Sequence, residues 1–376
     1  MPRLSGWAAE TTSWNHFVRG DLLVGSRIVG DYVDTSRLRM FVRRTSAVGR
    51  ANAPPGPTFV FLHGNTASSL FWEDTMLALP AGAGAIAPDL RGYGRSESLP
   101  IDATRGVRDW SDDLHALLCA MDAREGLNLV GWSLGAAVAM QYAIDYPGSV
   151  SSLTLVSPVS PYGYSGTHGL DGAPNYPDFA GSGAGGVNRD FIAMLIAKNK
   201  ESGPDIALPR NVVNATFYKP PFRSPREDEF LDEVMAAVVG DGNYPGSFAP
   251  SPNWPFYAPG DTGVLNAFSP KYLNLRGFVG MTPRPPVLWV RGADDQLVSD
   301  FSLADIAVLG KLGAVPGWPG DAVCPPHPMV AQIRKLLEDY AAAGGSFEEL
   351  VFEGCGHSPH IERPDEFVAA LVGHAY

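Results

Sequence analysis

The segment LNLVGWSLGAAVAMQYAIDYP, Leu127 to Pro147, contains one serine, Ser133, where an apolar run gives way to helix formers; Gly131 and Gly135 flank it. Such a serine is either a helix cap or a nucleophile. The pattern G-x-S-x-G is weak alone, but here a strand-like run precedes it and a helical run follows, the setting a reactive serine requires. A tight strand-to-helix turn crowds the backbone two residues before and after the serine, which explains both glycines. The turn would lift the hydroxyl clear of a sheet and aim it at a helix N-terminus, whose N–H groups favour developing negative charge. A cap needs no flanking glycines, so the spacing points to a nucleophile.

A serine hydroxyl is inert until a base takes its proton. Of 8 histidines, His357 in GCGHSPHIERPDEF lies on a glycine-flanked loop directly after the last predicted strand. His360 leads into the final helix and reads as structural, and His63 in FLHGN as packed or bonded to backbone. His16, His115, His168, His327 and His374 lack a strand-end setting. The carboxylate that orients the imidazole is expected on the loop of PPVLWVRGADDQLVSD, at Asp295 in preference to Asp294, with Asp300 capping the next helix. Two N–H donors must receive the oxyanion. One is expected from Leu134, after the serine, and the second from the His63-Gly64-Asn65-Thr66 loop, at Asn65.

These residues need a scaffold. Ser26 to Arg44 alternates about a DTS turn as an antiparallel hairpin would, and the connector ANAPPGP leads to the strand-like TFVFLH. A helix over about residues 68–79, strand-like AGAIAP, a helix over about 104–121, strand-like LNLVGW, a helix over 134–145 and strand-like SVSSLTLVSP follow. Residues 159–283 change character. They are crowded with Pro, Gly and aromatics, with helical patches only at FIAMLIAKNK and DEFLDEVMAAVV. PPVLWVRG then resumes as a strand, MVAQIRKLLEDYAAA as a helix ended by Gly344 and Gly345, SFEELVFEG as a strand, and Pro364 to about Val372 as a helix. Alternating strands and helices imply an α/β fold, a mostly parallel central sheet flanked by helices. The chain divides into a core of 1–158 and 284–376, interrupted by an insertion, 159–283, too long for an ordinary loop.

Composition narrows the possible partners. A net charge of -12 disfavours nucleic acid and anionic membranes, and no apolar window is long enough to cross a bilayer. The N-terminal MPRLSGWAAETTSW lacks the apolar stretch of a signal peptide. Cys119, Cys324 and Cys355 are too few and too irregularly spaced for a disulfide framework or zinc site, so reduced thiols in a soluble, cytoplasmic protein are expected. No metal, nucleotide or flavin motif is present, and no cofactor is expected; a homo-oligomer is left open.

FLHGN, APDLRGYGRS at 87–96, GWSLG, RGADDQLV and GCGHSPHIERPDEF, in that order over 26–158 and 284–376, together resemble the α/β-hydrolase superfamily. The resemblance implies that the insertion is a cap following the sixth strand. HGNTASSLFW is similar to the loop of haloalkane dehalogenases and epoxide hydrolases, yet those relatives carry an aspartate nucleophile where Ser133 stands. A carboxylate displaces halide or opens an epoxide by attack at carbon, whereas serine suits acyl transfer, so neither activity is expected. Some lactonases of the superfamily take their acid from the loop after the sixth strand. VSPVSPYGYSG offers none there, which keeps Asp295 as the candidate.

The expected reaction is hydrolysis of a carboxylic ester or lactone of a small molecule through an acyl-serine intermediate. Cap aromatics Tyr244, Phe248, Trp254, Phe256 and Tyr257, with Trp132 beside the serine, are expected to form a mostly apolar pocket, unless the cap aromatics form the cap's own core. Three rivals share the residues: a serine-dependent C–C bond hydrolase, whose acidic substrate would need Arg189 or Arg223; an acyltransferase; and a non-catalytic ligand receptor. The Gly/Pro-rich stretch 310–328 is expected either at the mouth of the site or in a subunit contact.

Overall fold

The computed structural model describes residues 28–45 and 56–375. His16, the first residues of the expected hairpin and residues 51–55 of the connector lie outside that set. Eight strands form one sheet: β1 Ile28–Asp34, β2 Arg39–Thr45, β3 Thr58–Leu62, β4 Gly84–Pro88, β5 Leu127–Trp132, β6 Val150–Val156, β7 Val287–Gly292 and β8 Phe347–Phe352. Their order is β1-β2-β4-β3-β5-β6-β7-β8. β2 runs antiparallel to both neighbours and every other pairing is parallel. The sequence explains the layering. TFVFL, GAIAP and LNLVGW are almost wholly apolar and almost wholly buried, as strands covered on both faces must be. IVGDYVD alternates half-buried and exposed residues, as an edge strand with one wet face should.

The strand-to-strand crossovers carry the helices. Arg108–Ala120 packs on Leu134–Asp145, and Met329–Ala342 joins that row through a short turn at Arg276–Gly280, where Phe278 meets the Tyr340 ring at 4.6 Å. Phe59 and Phe61 look toward the face where Trp72 and Phe367, from helix Pro364–Ala375, pack with ring centroids 6.1 Å apart. The helix expected over 68–79 is a 3₁₀ turn, Ser69–Trp72, running into a short α-helix, Glu73–Leu77. That expected over 104–121 is split at Gly106, whose φ of +59 no helix accommodates.

Between β6 and β7 the chain adds no strand to this sheet. Helices Arg189–Ile196 and Glu227–Val234 fall in the two expected patches. A third, Pro209–Thr216, was not expected; Pro209 opens it, and Val213 is buried one turn before Phe217. A second apolar cluster joins the insertion to the stretch after β7. Tyr176, Ala180 and Trp254 pack with Ile306, Ala307 and Cys324, and Trp318 closes the edge. Beside it runs a buried polar network. Asp305, which caps helix Ile306–Lys311, accepts from the Ser165 hydroxyl and the His327 amide, and His327 pairs with Gln332. The 310–328 stretch therefore backs this cluster, while Ile306, Leu309 and Met329 on either side of it reach the cavity described next.

Candidate active site

Ser133 stands at the β5-to-helix junction with φ 56 and ψ −115, a left-handed conformation that is strained for serine. Its side chain caps no amide of the helix it precedes, so it is not there as a cap. Its own N–H donates to the Val156 carbonyl at 2.9 Å, tying the turn to β6. Both glycines are sterically forced. A Cβ at Gly131 would lie 2.4 Å from the Gly135 carbonyl oxygen, and one at Gly135 would lie 2.2 Å from that of Leu62. Gly64 passes so close that a Cβ there would stand 3.3 Å from the Ser133 Cβ. The loop after β3 therefore runs directly along the serine.

That loop is braced from below by APDLRGYGRS. The Leu90 N–H donates to His63 Nε2 at 2.9 Å, and His63 Nδ1–H donates to the Gly64 carbonyl at 2.8 Å. His63 is fully buried and remains neutral, its pKa pushed down to about 4, chiefly by desolvation. Asp89 accepts from the Ser69 and Arg95 amides, and Tyr93 donates its hydroxyl to Asn65 Oδ1 at 2.7 Å. The Asn65 side chain is thereby fixed. Its backbone N–H and that of Leu134 take no acceptor among the described residues, and both residues line the cavity at Ser133.

On the far side of the sheet's centre, His357 and Asp295 meet. Nδ1 of His357 is 2.8 Å from Asp295 Oδ2, with both side chains almost fully buried. A carboxylate partner makes Nδ1 the protonated nitrogen and leaves the Nε2 lone pair free. The other carboxylate oxygen accepts from the Leu297 and Val298 amides at 2.8 and 2.9 Å. Asp294, one residue earlier, turns outward to Lys219 Nζ at 2.7 Å. Asp300 does not cap the next helix, which Asp305 does; it accepts instead from the Ala331 amide in the first turn of Met329–Ala342. The His357 loop is held by Glu362, whose two oxygens accept from the Gly356 and Lys219 amides at 2.8 and 2.9 Å; burial raises its pKa. Trp132, next to the serine, donates its indole N–H to the His357 carbonyl at 2.8 Å, so one side chain links the serine strand to the histidine loop. His360 stacks on Trp72 at 4.2 Å and burial keeps it neutral, consistent with a packing role.

Ser133, Leu134, Asn65 and His357 open on one cavity of about 330 Å³. Trp132 and Tyr257 line it as expected. Phe248, Trp254 and Phe256 do not. Phe248 is 50% exposed under the Arg189 guanidinium, and Phe256 is 67% exposed. Trp254 sits in the second apolar cluster, where its indole N–H reaches the Pro316 carbonyl at 2.9 Å. A Pro-rich irregular segment has no period to tell inward from outward residues, and here only Tyr257 of that run turns in. Tyr244, also expected there, lines the cavity, and Tyr164, Phe217 and Phe268 complete the wall. Phe217 could have been found from its spacing to Val213, four residues back on one face of an amphipathic helix. Among the described residues no lysine, arginine, aspartate or glutamate lines the cavity. Arg223 pairs with Glu227 at 3.0 Å.

The sheet order, with its single antiparallel strand, and the strand–serine–helix turn define a class, and comparison agrees. This chain belongs to the α/β hydrolase fold family, whose model matches residues 57–317. It is 36% identical over 317 residues to an uncharacterized protein of Mycobacterium tuberculosis, covering 84% of this chain and 74% of that one. Among solved structures it is similar to an esterase from Exiguobacterium antarcticum, with a TM-score of 0.56 and 16% identity over 92% of this chain and 99% of that one. It is equally similar to the 2-hydroxy-6-oxo-6-phenylhexa-2,4-dienoate hydrolase of Rhodococcus, with a TM-score of 0.55 and 16% identity over 93% of this chain and 99% of that one. Structural neighbours at 16% identity establish the shared fold alone. Among the described residues no helix is long and apolar enough to cross a membrane.

Proposed function

We propose that this protein is a serine hydrolase that cleaves a carboxylic ester or lactone of a mostly apolar, uncharged small molecule. The observation that carries this reading is the buried His357–Asp295 pair, opening with Ser133 on a cavity whose described lining holds no lysine, arginine, aspartate or glutamate. Ser133 Oγ adds to the substrate carbonyl carbon while His357 Nε2 takes its proton. The carbonyl π pair moves to oxygen, where the Leu134 and Asn65 N–H groups receive it. Collapse of this intermediate expels the alcohol, which takes the proton from His357 and leaves an acyl-serine. Water, deprotonated by the same nitrogen, then releases the acid. Residues 159–283 act as the cap over the acyl site, and the three unpaired cysteines, two of them buried, fit a cytoplasmic setting.

The C–C bond hydrolase is the second reading, favoured by the Rhodococcus neighbour. The dienoate named for that neighbour is a carboxylate, which would need a cation in the pocket. Arg189 lies over the Phe248 ring, Arg223 is paired outside, and neither lines the cavity. A panel of neutral p-nitrophenyl esters and lactones set beside a dienoate ring-fission product separates the two. Turnover of the neutral substrates, lost in Ser133→Ala, is the expected result; turnover of the dienoate alone would overturn the ester reading.

A further inference from the structure

In the segment HGNTASS most polar side chains already have a hydrogen-bond partner. Asn65 Oδ1 accepts from the Tyr93 hydroxyl, Ser68 Oγ accepts from the Leu70 N–H, and the Ser69 hydroxyl donates to Asp89. Thr66 is the exception. Its hydroxyl bonds to none of the described residues and is not sealed off, yet the residue is only 5% exposed and lines the cavity beside Ser133.

The backbone there is also strained. Thr66 sits at φ +47, where a β-branched residue is a genuine outlier. Glycine or asparagine would occupy that turn at lower cost. Strain of this kind persists where the surroundings impose it and clusters at functional sites. An unpartnered hydroxyl in an apolar cavity adds a second cost, which a substrate oxygen can remove.

We propose that the Thr66 hydroxyl is a catalytic residue, a third donor to the oxyanion that forms as Ser133 Oγ adds to the carbonyl carbon. This rests on the acyl-serine reading above. Asn65 contributes its backbone N–H and keeps its side chain for support, while Thr66 contributes its side chain. The proton of the hydroxyl is shared with the oxyanion and not transferred, so the proton balance with His357 is unchanged.

The test compares Thr66→Val, which keeps the branching and deletes the donor, with Thr66→Ser, which keeps the donor. Both are assayed with a neutral p-nitrophenyl ester and for the rate of inactivation by a neutral p-nitrophenyl phosphonate, which places an oxygen in the same hole. Thr66→Val should lower kcat and the inactivation rate by about 10–100-fold with KM within about twofold, and Thr66→Ser should stay within about threefold of the parent. Wild-type kcat in Thr66→Val, a loss confined to KM, or equal loss in both variants would overturn the proposal. Circular dichroism confirms the fold of each, and Thr66→Ala carries the same comparison if the valine variant does not fold. Failure of the phosphonate to modify Ser133 in the wild-type protein would instead overturn the acyl-serine reading itself.

Discussion

Asp295→Asn isolates what the carboxylate does, because the surroundings dictate how an asparagine must lie. Asp295 Oδ1 accepts two loop amides, from Leu297 and Val298, while Oδ2 faces His357 Nδ1. An asparagine that keeps its oxygen toward the two amides presents NH₂ to the imidazole. Flipping it would set NH₂ against two buried N–H donors, at roughly 1–3 kcal/mol each. The unflipped form therefore wins, and Nδ1 must become the acceptor. The imidazole proton then moves to Nε2, the nitrogen that receives the Ser133 proton in the proposed mechanism. The expected loss in kcat is about 10³–10⁴-fold, or about 4–5.5 kcal/mol of barrier, on a fold that stays intact. Asp294→Asn is the internal control. It breaks only the half-exposed pair with Lys219, worth about 0–1 kcal/mol, and should leave activity within about twofold. Steady-state hydrolysis of a neutral p-nitrophenyl ester, with thermal melting alongside, reads both. Asp295→Asn at more than about a tenth of wild-type kcat, or a larger loss in Asp294→Asn, would refute the reasoning.

Three further outcomes are expected. Trp132→Phe removes the only tie from the serine strand's indole to the His357 carbonyl, leaving a buried acceptor open; a loss of about 1–3 kcal/mol in unfolding free energy with a reduced kcat is expected, and unchanged values of both would show the tie to be idle. Gly135→Ala should abolish folding, since its Cβ would meet the Leu62 carbonyl at 2.2 Å, whereas Gly280→Ala, with nothing within 4 Å, should express and melt like the parent; equal behaviour of the two would contradict the steric reading. His63 stays neutral in the fold down to about pH 4. As pH falls through 6.5 the unfolded chain takes up a proton that the folded chain refuses, so stability declines toward pH 4, by about 3 kcal/mol for this residue. A His63→Gln protein should show a shallower slope of unfolding free energy against pH in that window, and an equal slope would count against the burial of a neutral imidazole.

Much of this site is legible in the sequence because its constraints are local. Gly131 and Gly135 are written two residues either side of Ser133 since a backbone carbonyl lies where each Cβ would be. The strand that carries Ser133 runs straight into a helix, those that carry Asp295 and His357 end in loops with glycine and acidic residues, and the end of a buried strand is readable from its apolar run. What resists reading depends on distant partners. Asp294 and Asp295 are chemically identical neighbours until Lys219, 75 residues away in the insertion, draws one outward and the Leu297 and Val298 amides hold the other inward. The insertion resists for another reason. Without periodicity, nothing in SPNWPFYAPGD says that Tyr257 enters the cavity while Phe256, its neighbour, faces outward. Thr66 was passed over because its backbone angle, not its type, singles it out.

The central claim is that one hydroxyl in this chain becomes reactive because His357 and Asp295 stand ready to take its proton. Intact-protein and peptide mass spectrometry after treatment with a fluorophosphonate tests it most directly. The expected result is a single adduct on the peptide bearing Ser133, absent in Ser133→Ala and strongly slowed in His357→Ala. Stoichiometric labelling at another residue, or ester turnover by a wild-type protein that leaves Ser133 unmodified, would contradict it.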